Sequence, residues 1–352
     1  MNMAERLYQI VETEPRLNHA GSKATADIAK IAGRIGFQNV MIHMDSDSPS
    51  RFAKFQRQVV YFRDWRKAGK EIPDHSIVLL QHPFHHRQLI RNKTLYNLKE
   101  RGVRFICLVH DVEKLRAFRY NDYYEHAFQT MMDLADVIIV HNNVMKGWFI
   151  KQGFDPKRLV TLQIFDYLQG KQEYSMPHFD RSLNIAGNLD TIKCKYISQL
   201  GQIAPVKVNL FGPNFNEDLK KYANINYHGS FPADEIPYRL TDGFGLVWDG
   251  DSIDGCKGKP GQYLRFNNPH KLSLYLSSGL PVVIWSKAAE ADFVIKNKVG
   301  ICVDSLYQLQ PLFDSITESD YQRMCQNVRQ VRKNLISGHY GKTALRSALE
   351  MI

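Results

Sequence analysis

The chain has 352 residues, 44% hydrophobic and 23% charged, an ordinary globular composition with length for two domains. No run reaches the ~18 apolar residues of a membrane helix, and the opening MNMAERLYQIVETEPR is charged where a secretory signal would be apolar. Five cysteines (107, 194, 256, 302, 325) are scattered and include no Cys-x-x-Cys pair, which fits reduced cytoplasmic thiols better than a disulfide frame or zinc site.

Short β-type runs alternate with helical patterns along the whole chain. In the first half the strands read LYQIVET, NVMIHM, SIVLLQ, VRFICLVHD, DVIIVHN and RLVTLQIF; amphipathic stretches such as ATADIAKIAGRIG lie between them. In the second half they read LNIAGN, VKVNLFG, INYHGS, GFGLVWD, PVVIW and GICVD, again with helical pieces between. Near-continuous apolar strands separated by helices imply parallel sheets covered on both faces. The expected fold class is therefore α/β, with two doubly wound, Rossmann-like domains facing across a cleft. The polar stretch YLQGKQEYSMPHFDRS, residues 167–182, is the natural boundary. Expected domains are thus 1–170 and 171–330, with a C-terminal helix over 331–352 crossing back to the first.

Net charge is +10 and uneven: from Arg51 to Arg119 there are 16 Lys and Arg against 6 Asp and Glu, the excess of the whole chain. Such a stretch suits a solvated basic face, an anionic membrane surface, phosphorylated small molecules or nucleic acid. No zinc-finger spacing, RNP-like aromatic motif or basic heptad array is present, so nucleic acid is not the expected partner. An enzyme working beside a membrane on a lipid-linked acceptor would use the same charge.

Ligands of open parallel sheets sit outside the carboxyl ends of the strands, so strand-end residues are the ones to read. Gly21 permits close backbone approach and Ser22 is placed to cap a helix whose free N–H groups favour an anion; capping alone explains both equally. His82, His85 and His86 follow strand three without a carboxylate at ligand spacing, which favours polar pocket lining over metal. Asp45 and Asp47 read as loop chemistry rather than a metal pair. His110-Asp111 closes strand four, where Asp111 fits either a general base or a cap of the next turn, and an adjacent His can tune the base. In the second half Gly187-Asn188, Gly212 and His228-Gly229 close successive strands, and Lys193 is expected to open the next helix. Glycines there let a ring or phosphate reach the backbone.

The stretch FNNPHKLSLYLSSGLPVVI, 266–284, combines a core helix and strand with a polar entry. Asn267 or Asn268 is a good cap and Pro269 suits the first turn. Lys271 then stands at the helix end where a cation is unfavourable, unless it snorkels into water or shares a bound anion. A diphosphate is such an anion. The preceding Gly255–Gly261 stretch reads as a mobile basic loop able to close over a ligand. P-loop, nucleophile-elbow, zincin and dinucleotide fingerprints are absent.

HKLSLYLSSGLPVVIW resembles the phosphate-site helix and strand of GT-B glycosyltransferases. With SKATADIAKIAGRIGF, VHDVEKLR, the IAGN strand end, GFGLVWDG and YLRFNNPHK, the chain resembles bacterial galactofuranosyltransferases and, more loosely, the glucosyltransferases that extend GlcNAc on serine-rich-repeat adhesins. The resemblance implies a cytoplasmic enzyme, at the inner membrane face if its acceptor is lipid-linked. It would transfer a hexosyl unit, galactofuranose or glucose, from a UDP-sugar to a carbohydrate acceptor carried on lipid or protein. It implies no metal or other cofactor, and it is compatible with a homo-oligomer. Asn268, His270 and Lys271 would hold the diphosphate; Gly187, Asn188, Lys193, Gly212 and Gly229 would lie beside the nucleotide. Gly21, Ser22 and Lys23 would meet the donor, Asp111 with His110 would supply the base, and His85 and Arg116 would face the acceptor. Leu274 and Tyr275 stand where many retaining relatives carry a ribose-gripping Glu, which leaves retention or inversion open. Competing readings are a non-catalytic GT-B partner of an active relative and a nucleic-acid-binding protein.

Overall fold

The structure is a computed structural model that describes residues 6–13, 20–44, 48–84, 86–117, 120–170 and 175–352, with the backbone alone for 20–22. By contact the chain divides into two compact units, residues up to 114 with 119–162 and 341–352, and residues 163–340 with 115–118, so Arg116 counts with the second. Ile164 and Tyr167 already belong to the core of the second unit, so the chain enters it ahead of the polar stretch at 167–182.

The first unit begins β1 (Leu7–Thr13), α1 (Ala20–Arg34), β2 (Gln38–His43) and α2 (Arg51–Glu71). It continues through β3 (Ile77–His82), α3 (Arg91–Glu100), β4 (Arg104–Val109) and the short α4 (Glu113–Arg116). It closes with α5 (Asp122–Leu134), β5 (Val137–Val140), α6 (Asn143–Lys151) and β6 (Leu159–Thr161). The sheet order is β2-β1-β3-β4-β5-β6 and every pairing is parallel, as when Val78 faces Phe105. β4 and β5 are apolar on consecutive residues because helices cover both faces; Phe105 through Val109 and Val137 through Val140 are buried.

The second unit runs β7 (His178–Ala186), β8 (Lys207–Phe211), β9 (Ile225–Tyr227), β10 (Asp242–Val247), α7 (Gly258–Tyr263) and α8 (His270–Ser278). Then follow β11 (Val282–Trp285), α9 (Ala291–Asn297), β12 (Gly300–Val303), α10 (Leu309–Ser315) and α11 (Glu318–Ser337). The last helix, α12 (His339–Glu350), ends in the first unit. This sheet is also all parallel, ordered β12-β11-β10-β7-β8-β9. The strand order reverses at β10-β7, the switch point at which such sheets open a binding crevice. Between β7 and β10 the connectors are 3-10 segments, Lys195–Ile203, Glu217–Lys221 and Ile236–Tyr238, where helical pieces were expected. No helix among the described residues is long and apolar enough to cross a membrane.

Candidate functional site

The polar entry to α8 is built from the core outward. Leu272 through Ser277 are buried, and Ser273 Oγ donates to the Phe165 carbonyl at 2.6 Å. Gly279 ends the helix with φ +96°, a left-handed position suited to glycine. At the other end Pro269, in extended conformation, occupies the cap position, and its ring offers no capping hydrogen bond. This corrects the expected Asn267 or Asn268 cap: proline's fixed φ makes it the last extended residue, so the helix begins at His270. Asn268 is buried beneath the entry, and the His270 ring packs against Phe165 and Tyr167, with centroids 6.2 and 5.1 Å apart.

Lys271 therefore lies in the first turn of α8, the positive end of its dipole. It keeps some solvent access while packing into the strand-end region. Burial disfavours its charge, but surrounding groups override that, chiefly Tyr196, Asp249, Cys194 and Tyr275, and its pKa stands above the ordinary lysine value. Phenols and thiols are neutral near pH 7, so among these groups Asp249 is the one whose negative charge favours the ammonium there. Asp249 Oδ1 in turn accepts from Gly250 N at 2.8 Å and from Cys194 Sγ at 3.6 Å. Burial first, then Asp249, pushes the Cys194 thiol up to about 11, so it is a neutral donor. Burial keeps the Tyr196 phenol protonated.

Three strand ends meet beside this lysine. Gly187 N donates to Phe211 O at 2.9 Å and Gly212 N to Gly229 O at 2.8 Å, which stitches the ends of β7, β8 and β9 together. All three glycines have positive φ, at +135°, +149° and +93°. A Cβ on Gly187 would stand 3.5 Å from Lys271 Cε, so the lysine stem runs along this glycine. Tyr275, buried in α8, accepts from Ala186 N at 2.8 Å and fixes the strand end. Leu274 and Tyr275 are thus core residues. The result is a shelf of bare backbone with one cation at its edge, the layout an anionic phosphate needs.

Asn188 is exposed and its Oδ1 accepts from Asp190 N at 3.1 Å and Asn214 Nδ2 at 2.9 Å, which shapes the turn after β7. Lys193 lies exposed in a turn that precedes a 3-10 segment and does not open a helix; its N–H donates back to Asp190 O. The Gly255–Gly261 stretch is not a loose flap. Added Cβ atoms on Gly258 and Gly261 would meet Asp251 Oδ2 at 2.2 Å and the Cys256 carbonyl carbon at 2.6 Å, and one on nearby Gly250 would meet Lys257 O at 2.1 Å, so these glycines serve close packing at the start of α7. Asp249 is the residue the sequence reading missed. It follows strand GFGLVWD as Asp111 follows its own strand, and the same rule would have found it.

In the first unit, His110 N donates to His82 O at 2.7 Å, which continues the β3–β4 ladder. His110 Nε2 donates to Gln81 Oε1 at 2.7 Å, and Gln81 Nε2 donates to Thr25 O at 3.2 Å, so the end of β4 is tied to α1. Asp111 follows it, half-buried, and Arg116 ends α4, also half-buried. Gly21, Ser22 and Lys23 are in the first turns of α1 rather than in a loop before it, because the helix starts at Ala20. Ser22 is hence past the capping position, and Lys23 is buried in an ion pair with Asp27 at 2.8 Å. His82 is buried core against Phe128 rather than pocket lining. His85, Asp45 and Asp47 lie outside the described residues. Among those described, no three metal-ligating side chains converge.

Comparison with known proteins adds a lineage to this geometry. Family models for the Glucosyltransferase 3-like N-terminal and C-terminal domains match residues 7–164 and 183–348. The chain is 35% identical over 252 residues to beta-1,6-galactofuranosyltransferase WbbI of Escherichia coli, across 70% of this chain and 72% of that one. It is 24% identical to Glucosyltransferase 3 of Streptococcus gordonii across 93% of both. Among solved structures, HepE of Anabaena in complex with UDP superposes with a TM-score of 0.60 at 11% identity, covering 98% of this chain and 100% of that one, which shows a shared fold.

Proposed function

Since the chain belongs to the Glucosyltransferase 3-like family and is a glycosyltransferase, we propose that it moves a hexosyl unit from a UDP-sugar to a carbohydrate acceptor. Galactofuranose is the first choice of sugar and glucose the second, following the order of identity to the two relatives. The observation that carries the reading is Lys271, a cation in the first turn of α8 whose stem runs along the bare backbone of Gly187. The diphosphate of the donor lies there. Its charge grows as the bond from the anomeric carbon to the phosphate oxygen breaks, and the ammonium and helix N–H groups stabilise that growth. This makes metal-independent transfer our reading. His270 and Asn268 shape the same entry.

We assign Asp111 as the group that takes the acceptor hydroxyl proton if the anomeric centre inverts, while His110, anchored through Gln81, keeps the strand end rigid. The free thiols of all five cysteines support a reducing cytoplasm as the compartment. Replacement of Lys271 by Ala tests the reading. UDP binding by calorimetry is expected to weaken about tenfold or more, with a matching loss of donor turnover. Unchanged UDP affinity and turnover would overturn it. Asp111→Asn should abolish transfer and leave UDP affinity intact; full transfer by this variant would remove the base assignment.

A further inference from the structure

Helix α2 presents a surface that the core of its own unit does not use. Ser50 caps the helix by accepting from Ala53 N at 3.2 Å, and Tyr61, Trp65 and Ala68 on its inner side are buried. On the outer side Phe52, Phe55, Val59 and Phe62 are 70%, 68%, 54% and 48% exposed. Their spacing of i, i+3, i+7 and i+10 makes one continuous stripe, about 15 Å long at helical rise. Leu89, 65% exposed, extends it. Gln58 holds that neighbouring loop from both amide ends: Nε2 donates to Arg87 O at 2.7 Å and Oε1 accepts from Leu89 N at 3.1 Å. Val59, Phe62, Leu89 and Ile90 wall a shallow apolar hollow between them. Five large apolar side chains held in water by an ordered scaffold mark a surface meant to be covered.

The charge around the stripe decides what covers it. Arg51, Lys54, Arg63, Arg66, Lys67 and Lys70 stand exposed along the same helix, and the Arg66 guanidinium lies 5.5 Å from the centre of the Phe62 ring. Both acids of α2 are engaged: Asp64 is buried against His43 and Arg63, and Glu71 pairs with Lys67 at 3.3 Å. Two copies laid face to face would set Arg51, Arg63 and Arg66 against their own counterparts with no free acid on the helix to meet them. An anionic lipid surface satisfies both parts at once, since aromatic side chains enter the interface while long basic side chains reach the headgroup phosphates.

We propose that the outer face of α2, with Leu89, docks the enzyme on an anionic phospholipid bilayer. The docking is independent of the sugar-transfer reading and is tested apart from it. Full-length protein is sedimented with phosphatidylglycerol-rich vesicles and with pure phosphatidylcholine vesicles, at low and high salt. Binding is expected to the anionic vesicles only, and salt should reverse it. The triple variant Phe52→Ser, Phe55→Ser, Phe62→Ser and the charge reversal Arg66→Glu with Lys70→Glu should each bind about tenfold less. These side chains are exposed, so melting followed by circular dichroism should match the parent. A parent chain that stays in the supernatant with anionic vesicles overturns the proposal, as does equal binding to both vesicle types. So does a phenylalanine variant that changes oligomeric mass by light scattering while vesicle binding persists, because the stripe would then join copies of the chain.

Discussion

A methyl group on Gly212 would stand 1.7 Å from the carbonyl oxygen of Gly187, and at φ +149° the backbone itself resists a side chain. Two costs therefore fall on one residue. Gly212→Ala should lower stability by about 3 kcal/mol and lower the melting temperature accordingly, with loss of UDP binding because the shelf beside Lys271 is forced open. Gly229→Ala meets nothing within 4 Å and carries only the strain of φ +93°, so it should cost about 1 kcal/mol. Thermal melts of the two variants compare them directly, and equal melting temperatures would refute the account of the shelf. Asp249 works by charge instead. Its negative charge favours the half-buried Lys271 ammonium across the site. Asp249→Asn should melt a few degrees below the parent without ligand, and UDP should recover more of the melting temperature than it does in the parent. An identical UDP-induced shift in both proteins would count against this pairing.

At the scale of elements, one carboxylate adds a polar tie between α2 and the sheet to the packing of the helix's buried inner face. Asp64 Oδ2 accepts from His43 N and lies 2.8 Å from His43 Nδ1, joining the helix to the end of β2. Burial alone would raise the pKa of Asp64, but hydrogen bonds from His43 and Arg63 outweigh it and hold the carboxyl below its usual range. The group thus adds stability above the unfolded pKa of about 3.9, and that stability is lost as pH falls through the lower folded value. Asp64→Asn should cost about 1–2 kcal/mol at neutral pH and flatten the decline of melting temperature below pH about 4. An unchanged acid profile would show that Asp64 is not the anchor. The twelve strands among the described residues were legible, the central ones as apolar runs bracketed by turn residues because doubly covered strands cannot hide that signal, and edge strands such as β2 and β9 by their turn residues. The connectors were less legible. Whether a short segment such as Lys195–Ile203 closes as 3-10 depends on its packing, and the Tyr222 ring packs here against Gly201, 2.3 Å from where a Cβ would stand. The Gly255–Gly261 stretch was hard to read for a related reason, because glycines for close packing look like glycines for motion.

At the scale of the molecule the two units share a fold but differ in what they bury. Lys271 as the site cation was readable because its place at a helix start is electrostatically costly without an anion. Asp249 and the Gly187–Gly212 contact were not, because they join strand ends distant in sequence. Among the described residues the first unit also encloses two histidines, which the sequence does not mark as core. His82, at the end of β3, is held down to about 3 by burial and then by Arg91. His141, just after β5, is held to about 4 by burial although it donates to Val109 O at 3.1 Å. The histidines of the second unit (178, 228, 270 and 339) are all at least partly exposed. Both buried rings are neutral in the folded chain and protonate on unfolding at any pH below about 6.5. The unfolded state then binds more protons, so stability declines with falling pH from about 6.5 toward the two folded values, by about 1.4 kcal/mol per pH unit for each ring. The first unit should consequently open before the second on acidification. Hydrogen exchange read by mass spectrometry at pH 7 and near pH 5 should show β3, β4 and β5 losing protection while β10 and β11 keep theirs. His82→Leu should remove one ring's share of that slope; loss of protection in both units together would place the acid sensitivity elsewhere.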